Sequence, residues 1–333
     1  MKSMQIVATL DEPIQPGKNV IWCATFQAAW KKFQLEALGE VPRVEGAPSV
    51  CDRLNKAPDP TPDLPKESYY VTAEICRPGT FDRIRADMKR LFPDAPAPDF
   101  AGAVDDYVLY CYLSAHVPFT LAYFPHEEPL GFRSSSGQIT PVRAFGISRQ
   151  HGEEYRKLHG QVGILYASSG SETPGSGKAE EFVVDLCLTS QPNQVIVACV
   201  KPGNTLEETF VSVEQRIASA NPDDYYFSPG CELAVPEMLW RVVHRYTDLE
   251  TKQFLNTNLP NLPVLKAQQT IEFRLDRFGA EVKSEAMLVP AAAPPSNLIC
   301  DRPFLLYIRK RGAKCPFLAI WVDNAEVLRE WPD

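Results

Sequence analysis

Nine cysteines and five histidines are the residues of this 333-residue chain whose types can do nucleophilic or metal chemistry. A Cys–His pair can act as nucleophile and base, but its partners meet in the fold and not in the sequence, so spacing neither supports nor removes it. No CxxC pair occurs, and His116, His126, His151, His159 and His244 fall at no metal-ligand spacing with the cysteines. "YFPHEEP" sets His126 beside Glu127 and Glu128, where a cation could bind; a solvated turn between strands is the plainer reading. Phosphate loops, GxSxG and HExxH are all missing. The acidic pairs Asp105/Asp106 and Asp223/Asp224 sit at strand edges, as turn-forming carboxylates do. The cations of "RKRGAK" (309–314) read as a hairpin turn. No catalytic residue, metal site or cofactor is expected from these patterns.

One stretch has a pattern of a different kind. "FGAEVKSEAMLVPAAAPPS" (278–296) alternates Ala280, Val282, Ser284, Ala286 and Leu288 with Glu281, Lys283, Glu285 and Met287, then dissolves into alanines and prolines. Alternation at period two fits a half-buried strand, whether exposed, inserted in a sheet or part of an edge hairpin.

The elements around it are mixed. Ile21 to Leu38 reads as a helix capped by Asn19, with Trp22, Phe26, Trp30 and Phe33 as its bulky residues. "FDRIRADMKRLF" reads as a second helix behind Thr80, and "TLEE" opens a third with a Thr205/Glu208 capping box and the stripe Leu206, Phe210, Val213, Ile217. "PEMLWRVVHRY" is expected to be a fourth, with Met238, Leu239, Val242 and Val243 inward. "YVLYCYL", "EFVVDLCL", "QVIVACV", "TIEFRL", "RPFLLYIR" and "FLAIWV" are strands. "APDPTPDLP" (57–65) is a stiff connector and "ASSGSETPGSGK" (167–178) a flexible loop. The class is α+β, with helices mainly in the N-terminal third and large sheets after it.

A net charge of −8 argues against nucleic acid or an anionic membrane as partner. No apolar run is long enough to span a bilayer, and "MKSMQIVATLDEPIQPG" lacks a signal-peptide core. An odd number of scattered cysteines fits reduced, mostly buried thiols in a cytoplasmic protein.

The C-terminal residues carry a resemblance. "TIEFRLDRFGAEVKSEAMLVPAAAPPSNLICDRPFLLYIRKRGAKCPFLAIWVDN" resembles the end of a serpin: an acidic-x-Gly turn at Asp276 to Gly279, a small-residue hinge from Ala280 to Ala286, a bait loop from about Met287 to Ala293, then Pro294–Pro295, the Pro303–Phe304 strand opener and a final hairpin. More faintly, "NVIWCATFQAAW" resembles the buried helix near a serpin's start. "DDYVLYCYLSAHVPFTLAYF" resembles its central strand, and the segment from "EFVVDLCL" through "VEQRI" a hairpin and helix of its second sheet. The resemblance implies a single serpin-like domain over 1–333, with the family's first helix missing and about 39–106 shortened and rewritten. It implies a large central mixed sheet and a second, packed antiparallel one.

It also implies site residues: hinge positions Gly279, Ala280, Val282, Ser284 and Ala286, and bait residues Ala291, Ala292 and Ala293. The family's buried polar network at the sheet centre falls here on Cys23, Phe26, Cys111 and Gln269, which reads as a retired network. Its acid–lysine pair at the top of the sheet falls on Arg277 and Gly230, and its tryptophan there on Phe119. Val282 is bulky for a hinge, and Pro290 cannot donate to a ladder. The expectation is a serpin-fold binding or structural module that does not inhibit proteases, its partner a protein. The alternatives are an inhibitor of a protease preferring small residues near 291–293, and a cysteine-dependent enzyme.

Overall fold

The structure, a computed structural model, describes residues 3–46, 48–100, 106–115, 117, 119–148, 157–168, 178–188, 192–221, 231–256, 263–278 and 297–332. The chain divides into two compact units, each drawn from separate stretches. One holds Met1–Trp22, Ala115–Trp240 and Phe273–Asp333; the other holds Cys23–Ser114 and Arg241–Glu272.

The first unit contains a seven-stranded mixed sheet. Its strands are β1 (Met4–Val7), β2 (Asn19–Cys23), β9 (Gly163–Ala167), β10 (Phe182–Asp185), β11 (Asn193–Cys199), β16 (Phe304–Lys310) and β17 (Leu318–Val322). The order is β1-β2-β17-β16-β11-β10-β9, with β1 and β2 parallel. β10, β11 and β17 are buried along their whole length, which is why they read as continuous apolar runs. A four-stranded sheet runs β15 (Leu298–Ile299), β12 (Leu233–Pro236), β8 (Ala144–Ile147), β5 (Phe124–Pro125). It is antiparallel except for the β12–β15 pair. At Gly146 a Cβ would lie 1.8 Å from the Leu233 carbonyl oxygen, so only glycine lets β8 and β12 approach this closely. β6 (Leu130–Arg133) and β7 (Ile139–Val142) form a separate hairpin. The "RKRGAK" turn lies between β16 and β17, with Gly312 at φ 83°. Two of its cations hold carboxylates: Arg309 pairs with Glu214 at 2.7 Å and Arg311 with the buried Asp185 at 3.3 Å.

The sheet β13 (Met238–Arg245), β14 (Val264–Leu275), β4 (Tyr107–Ala115), β3 (Tyr69–Ile75) lies for most of its length in the second unit. α1 (Ala24–Lys32) and α3 (Thr80–Leu91) both belong to this unit. Ala24 to Trp30 of α1 are all buried, which makes it a core helix and not an amphipathic surface one. α3 buries Ile84 and Met88 against Val108, Tyr110 and Tyr112 of β4. α2 (Ser49–Lys56) completes the N-terminal helices, and α4 (Leu206–Ser219) lies beyond them.

Several local expectations are corrected. The helix anticipated over Ile21–Leu38 begins at Ala24, because Ile21 to Cys23 finish β2; Phe33–Leu38 continues it as a π-helix ended by Gly39 at φ 68°. Asn19 is no cap: its Oδ1 accepts from the Asp323 and Asn324 amides at 2.8 and 3.0 Å. Thr80 is the first residue of α3, and its hydroxyl accepts from the Arg77 amide at 2.9 Å. The Thr205 cap is present, accepting from Glu208 N at 3.0 Å, but Glu208 reaches back to the Asn204 amide and not to Thr205. "MLWRVVHR" is strand β13, not a helix. Met238 and Trp240 are buried while Leu239 is 59% and Val243 49% exposed, a period of two.

Candidate functional site

Gly279, Ala280, Val282, Ser284, Ala286, Ala291, Ala292 and Ala293 lie outside the described residues, as does Gly230. The structure describes the two roots of the segment that carries the hinge and bait positions, Phe278 and Asn297, and the strands leading to them.

At the N-terminal root, β14 ends at Leu275 and the buried Asp276 holds the turn that follows. Its carboxylate accepts from Arg274 Nε at 2.6 Å and from the Phe278 amide at 2.9 Å. The acid of the anticipated turn is therefore used locally. The Arg277 guanidinium stacks on the Phe278 ring, 4.0 Å from its centroid, and the Arg277 carbonyl accepts from the Tyr123 amide at 2.9 Å. Phe119 is buried edge-on against Tyr123, centroids 5.0 Å apart, and Tyr123 donates its hydroxyl to the Leu186 carbonyl at 2.6 Å. Glu237 accepts from Arg329 at 2.9 Å; burial raises its carboxyl above the usual range, opposed chiefly by Arg329.

At the C-terminal root, Asn297 bridges Lys178, and the Ala179 amide donates to the Asn297 carbonyl at 3.1 Å. β15 is only two residues long and hangs on β12 through Leu298 N to Glu232 O, 2.8 Å, and Cys300 N to Ala234 O, 2.9 Å. Lys178 pairs with Asp301, and Arg302 donates to the Ala179 carbonyl at 2.8 Å.

The sheet centre of the second unit holds Cys23, Phe26, Cys111 and Gln269 together, as anticipated, but the polar network is rebuilt and not lost. Gln269 Nε2 donates to the Cys23 carbonyl and to Thr25 Oγ1, both at 3.0 Å, while its Oε1 accepts from the Tyr246 hydroxyl at 2.8 Å. The Cys23 thiol lies 3.2 Å from Thr25 Oγ1. Phe26 stacks on Tyr246 at 3.6 Å, and His244 meets the same ring edge-on at 4.6 Å. Thr25 and Tyr246 carry no sequence signal for this role, since "PEMLWRVVHRY", which Tyr246 closes, fits a helical stripe as well as a strand. As a strand the segment pairs the Tyr246 amide with the Ala267 carbonyl at 2.8 Å, from where its hydroxyl reaches Gln269.

β14 pairs directly with β4, so no strand stands between them. Side chains clip this seam on both faces. The Cys111 thiol donates to the Gln268 carbonyl at 3.7 Å on the α1 face. On the other, Tyr112 donates to Glu272 at 2.9 Å. Arg241 of β13 pairs with the same Glu272 at 2.8 Å, tying three strands through one carboxylate.

The remaining side chains with candidate chemistry are histidines, acids and thiols of the described residues. No group of three or more His, Cys, Asp or Glu could hold a metal ion there. His126 Nε2 lies 3.2 Å from the Leu233 carbonyl, and Glu127 and Glu128 are exposed. Eight of the nine cysteines are buried, Cys315 being the exposed one. Burial pushes the Cys23, Cys51 and Cys76 thiols up to about 11, away from the reactive thiolate.

The fold of the chain is serpin-like. It superposes on native protease nexin-1, solved with heparin, with a TM-score of 0.55 at 13% identity, covering 92% of this chain and 93% of that one. Serpin48, a highly specific serpin of the insect Tenebrio molitor, matches with a TM-score of 0.54 at 12% identity, over 92% of both chains. No family model and no curated protein matches the sequence. No described helix is long and apolar enough to cross a membrane.

Proposed function

We propose that this chain is a serpin-fold binding or structural module that does not trap proteases. The observation that carries the reading is the β4–β14 seam. In a trapping serpin the cut loop enters the main sheet as a new strand beside the strand that leads into the hinge. Here that strand is β14, and its neighbour is β4. Entry between them requires the backbone ladder to part together with the Tyr112–Glu272 and Cys111–Gln268 bonds, each a bond to a part-buried or buried group. The bulk of Val282 and the missing donor of Pro290 add to that cost. Its partner is a protein. Heparin, present with protease nexin-1, is not carried over, because a chain of net charge −8 does not suit a polyanion.

The inhibitor reading has its own support in the alternation of Ala280, Val282, Ser284, Ala286 and Leu288, which suits entry into a sheet. The cysteine-enzyme reading has less, since the thiols are mostly buried. Limited digestion with an elastase-like protease, followed by denaturing electrophoresis and a thermal melt, separates the readings. The expected result is cleavage at Ala291–Ala293, or none, with no covalent complex and an unchanged melting temperature. A covalent protease complex with a large rise in melting temperature would establish the inhibitor instead. Selective alkylation of one thiol at low pH would point to the enzyme.

A further inference from the structure

Cys199 closes β11 and Cys300 follows β15 directly, 101 residues apart in sequence, yet their Sγ atoms lie 3.2 Å from one another. A disulfide bond is about 2.0 Å long, so joining the two sulfurs takes an approach of about 1.2 Å. Both side chains are buried, and the backbones that carry them are held. Cys199 is paired opposite Phe182 in the seven-stranded sheet, and the Cys300 amide donates to the Ala234 carbonyl at 2.9 Å. We propose that Cys199 and Cys300 form a reversible disulfide, which staples the C-terminal root of the 279–296 segment to β11.

The placement gives the bond an effect. β15 hangs on β12 by two backbone hydrogen bonds, and the root around it is held by the Ala179–Asn297 and Arg133–Asp301 backbone bonds and the Lys178, Asp301 and Arg302 side-chain contacts. A covalent link at Cys300 fixes the residue immediately after β15 to the longest-buried part of the neighbouring sheet. Peeling of β15, which the dithiol form allows, is then blocked.

The oxidant that suits a buried pair is a small peroxide. One thiol attacks hydrogen peroxide: an S–O bond forms, the O–O bond breaks, and water leaves as that sulfur loses two electrons. The second sulfur attacks the resulting sulfenic acid. The S–S bond forms, the S–O bond breaks, and the departing hydroxide takes the second thiol's proton as water. Two thiols and one peroxide give one disulfide and two waters. Burial keeps the Cys300 thiol protonated well beyond its ordinary range, so the step is slow and speeds up with pH.

The test uses the full chain carrying Cys315→Ser, which removes the exposed thiol that could join two molecules. It is incubated with hydrogen peroxide, quenched, alkylated in denaturant and digested without reductant for mass spectrometry. The expected product is a peptide pair joined through Cys199 and Cys300, reversed by dithiothreitol, with a melting temperature several degrees higher. Hydrogen exchange at the Leu298 and Cys300 amides should slow by at least about tenfold on oxidation. Cys300→Ser and, separately, Cys199→Ala should lose the link and the slowing together. Linkage through other cysteines, sulfinic acid at either residue without a link, or thiols left unreacted would overturn the proposal. So would a link that leaves exchange at β15 unchanged. None of these outcomes bears on protease trapping, which the digestion experiment reads separately.

Discussion

Gln269 shows how one side chain organises the centre of a sheet. It uses both ends of its amide on buried partners: Cys23 O and Thr25 Oγ1 on the nitrogen, Tyr246 on the oxygen. Replacing it with leucine keeps much of the volume and removes all three bonds. Equilibrium urea unfolding of Gln269→Leu should show a loss on the order of 3 kcal/mol; a change under about 0.5 kcal/mol would mean that the network is not formed. His244, edge-on to Tyr246, is held neutral by burial, which lowers its pKa from 6.5. The unfolded chain then binds more protons than the folded one just below pH 6.5, so stability rises with pH there and is lost as the pH falls. His244→Phe should flatten that slope below pH 6.5, measured as melting temperature against pH.

At the scale of elements, β13 is where period two prevails over period 3.6. "MLWRVVHR" satisfies both patterns, since Met238, Leu239, Val242 and Val243 make a helical stripe and Met238, Trp240 and Val242 a strand face. Pairing with β14 decides between them, and the decision can be read by mutation. Trp240 is buried against Phe273, centroids 5.4 Å apart, so Trp240→Ala should cost on the order of 3–5 kcal/mol. Leu239→Ala, on the exposed face, should cost within about 0.5 kcal/mol. A helix would reverse the two values in chemical denaturation. Phe26 makes the matching case on α1: fully buried and stacked on Tyr246, it should cost on the order of 3–5 kcal/mol when replaced by alanine.

Over the whole molecule, charge and thiol burial set what solvent can reach. Arg309, Arg311, Arg329 and Lys178 are each paired with a carboxylate, and the chain carries −8 in total. It should therefore pass unretained through a heparin column at about 0.15 M salt, where exposed charges act only over about 8 Å. Retention there would reveal a basic surface that the formal charge hides. With eight of nine cysteines buried, a thiol reagent should titrate one thiol quickly in the native protein and nine in denaturant. Additional fast thiols would place part of the core within reach of solvent, and with it the thiol chemistry considered for an enzyme.

Much of this fold can be read along the chain because its signals are local. Continuous apolar runs such as "QVIVACV" and "FLAIWV" have one way to be buried, in a sheet covered on both faces. The Thr205 cap, the Gly312 turn and the Asp276 turn act within a few residues of themselves. The serpin-like order of the C-terminal motifs is likewise a pattern in one dimension. What could not be read is what joins distant residues. Gln269 meets Thr25 across 244 positions, Cys199 meets Cys300 across 101, and Glu272 gathers Tyr112 and Arg241 from separate strands. Partners of this kind leave no spacing in the sequence, since loop closure costs little more for a long separation than for a short one. Only packing selects them, by bringing most buried polar groups to a partner.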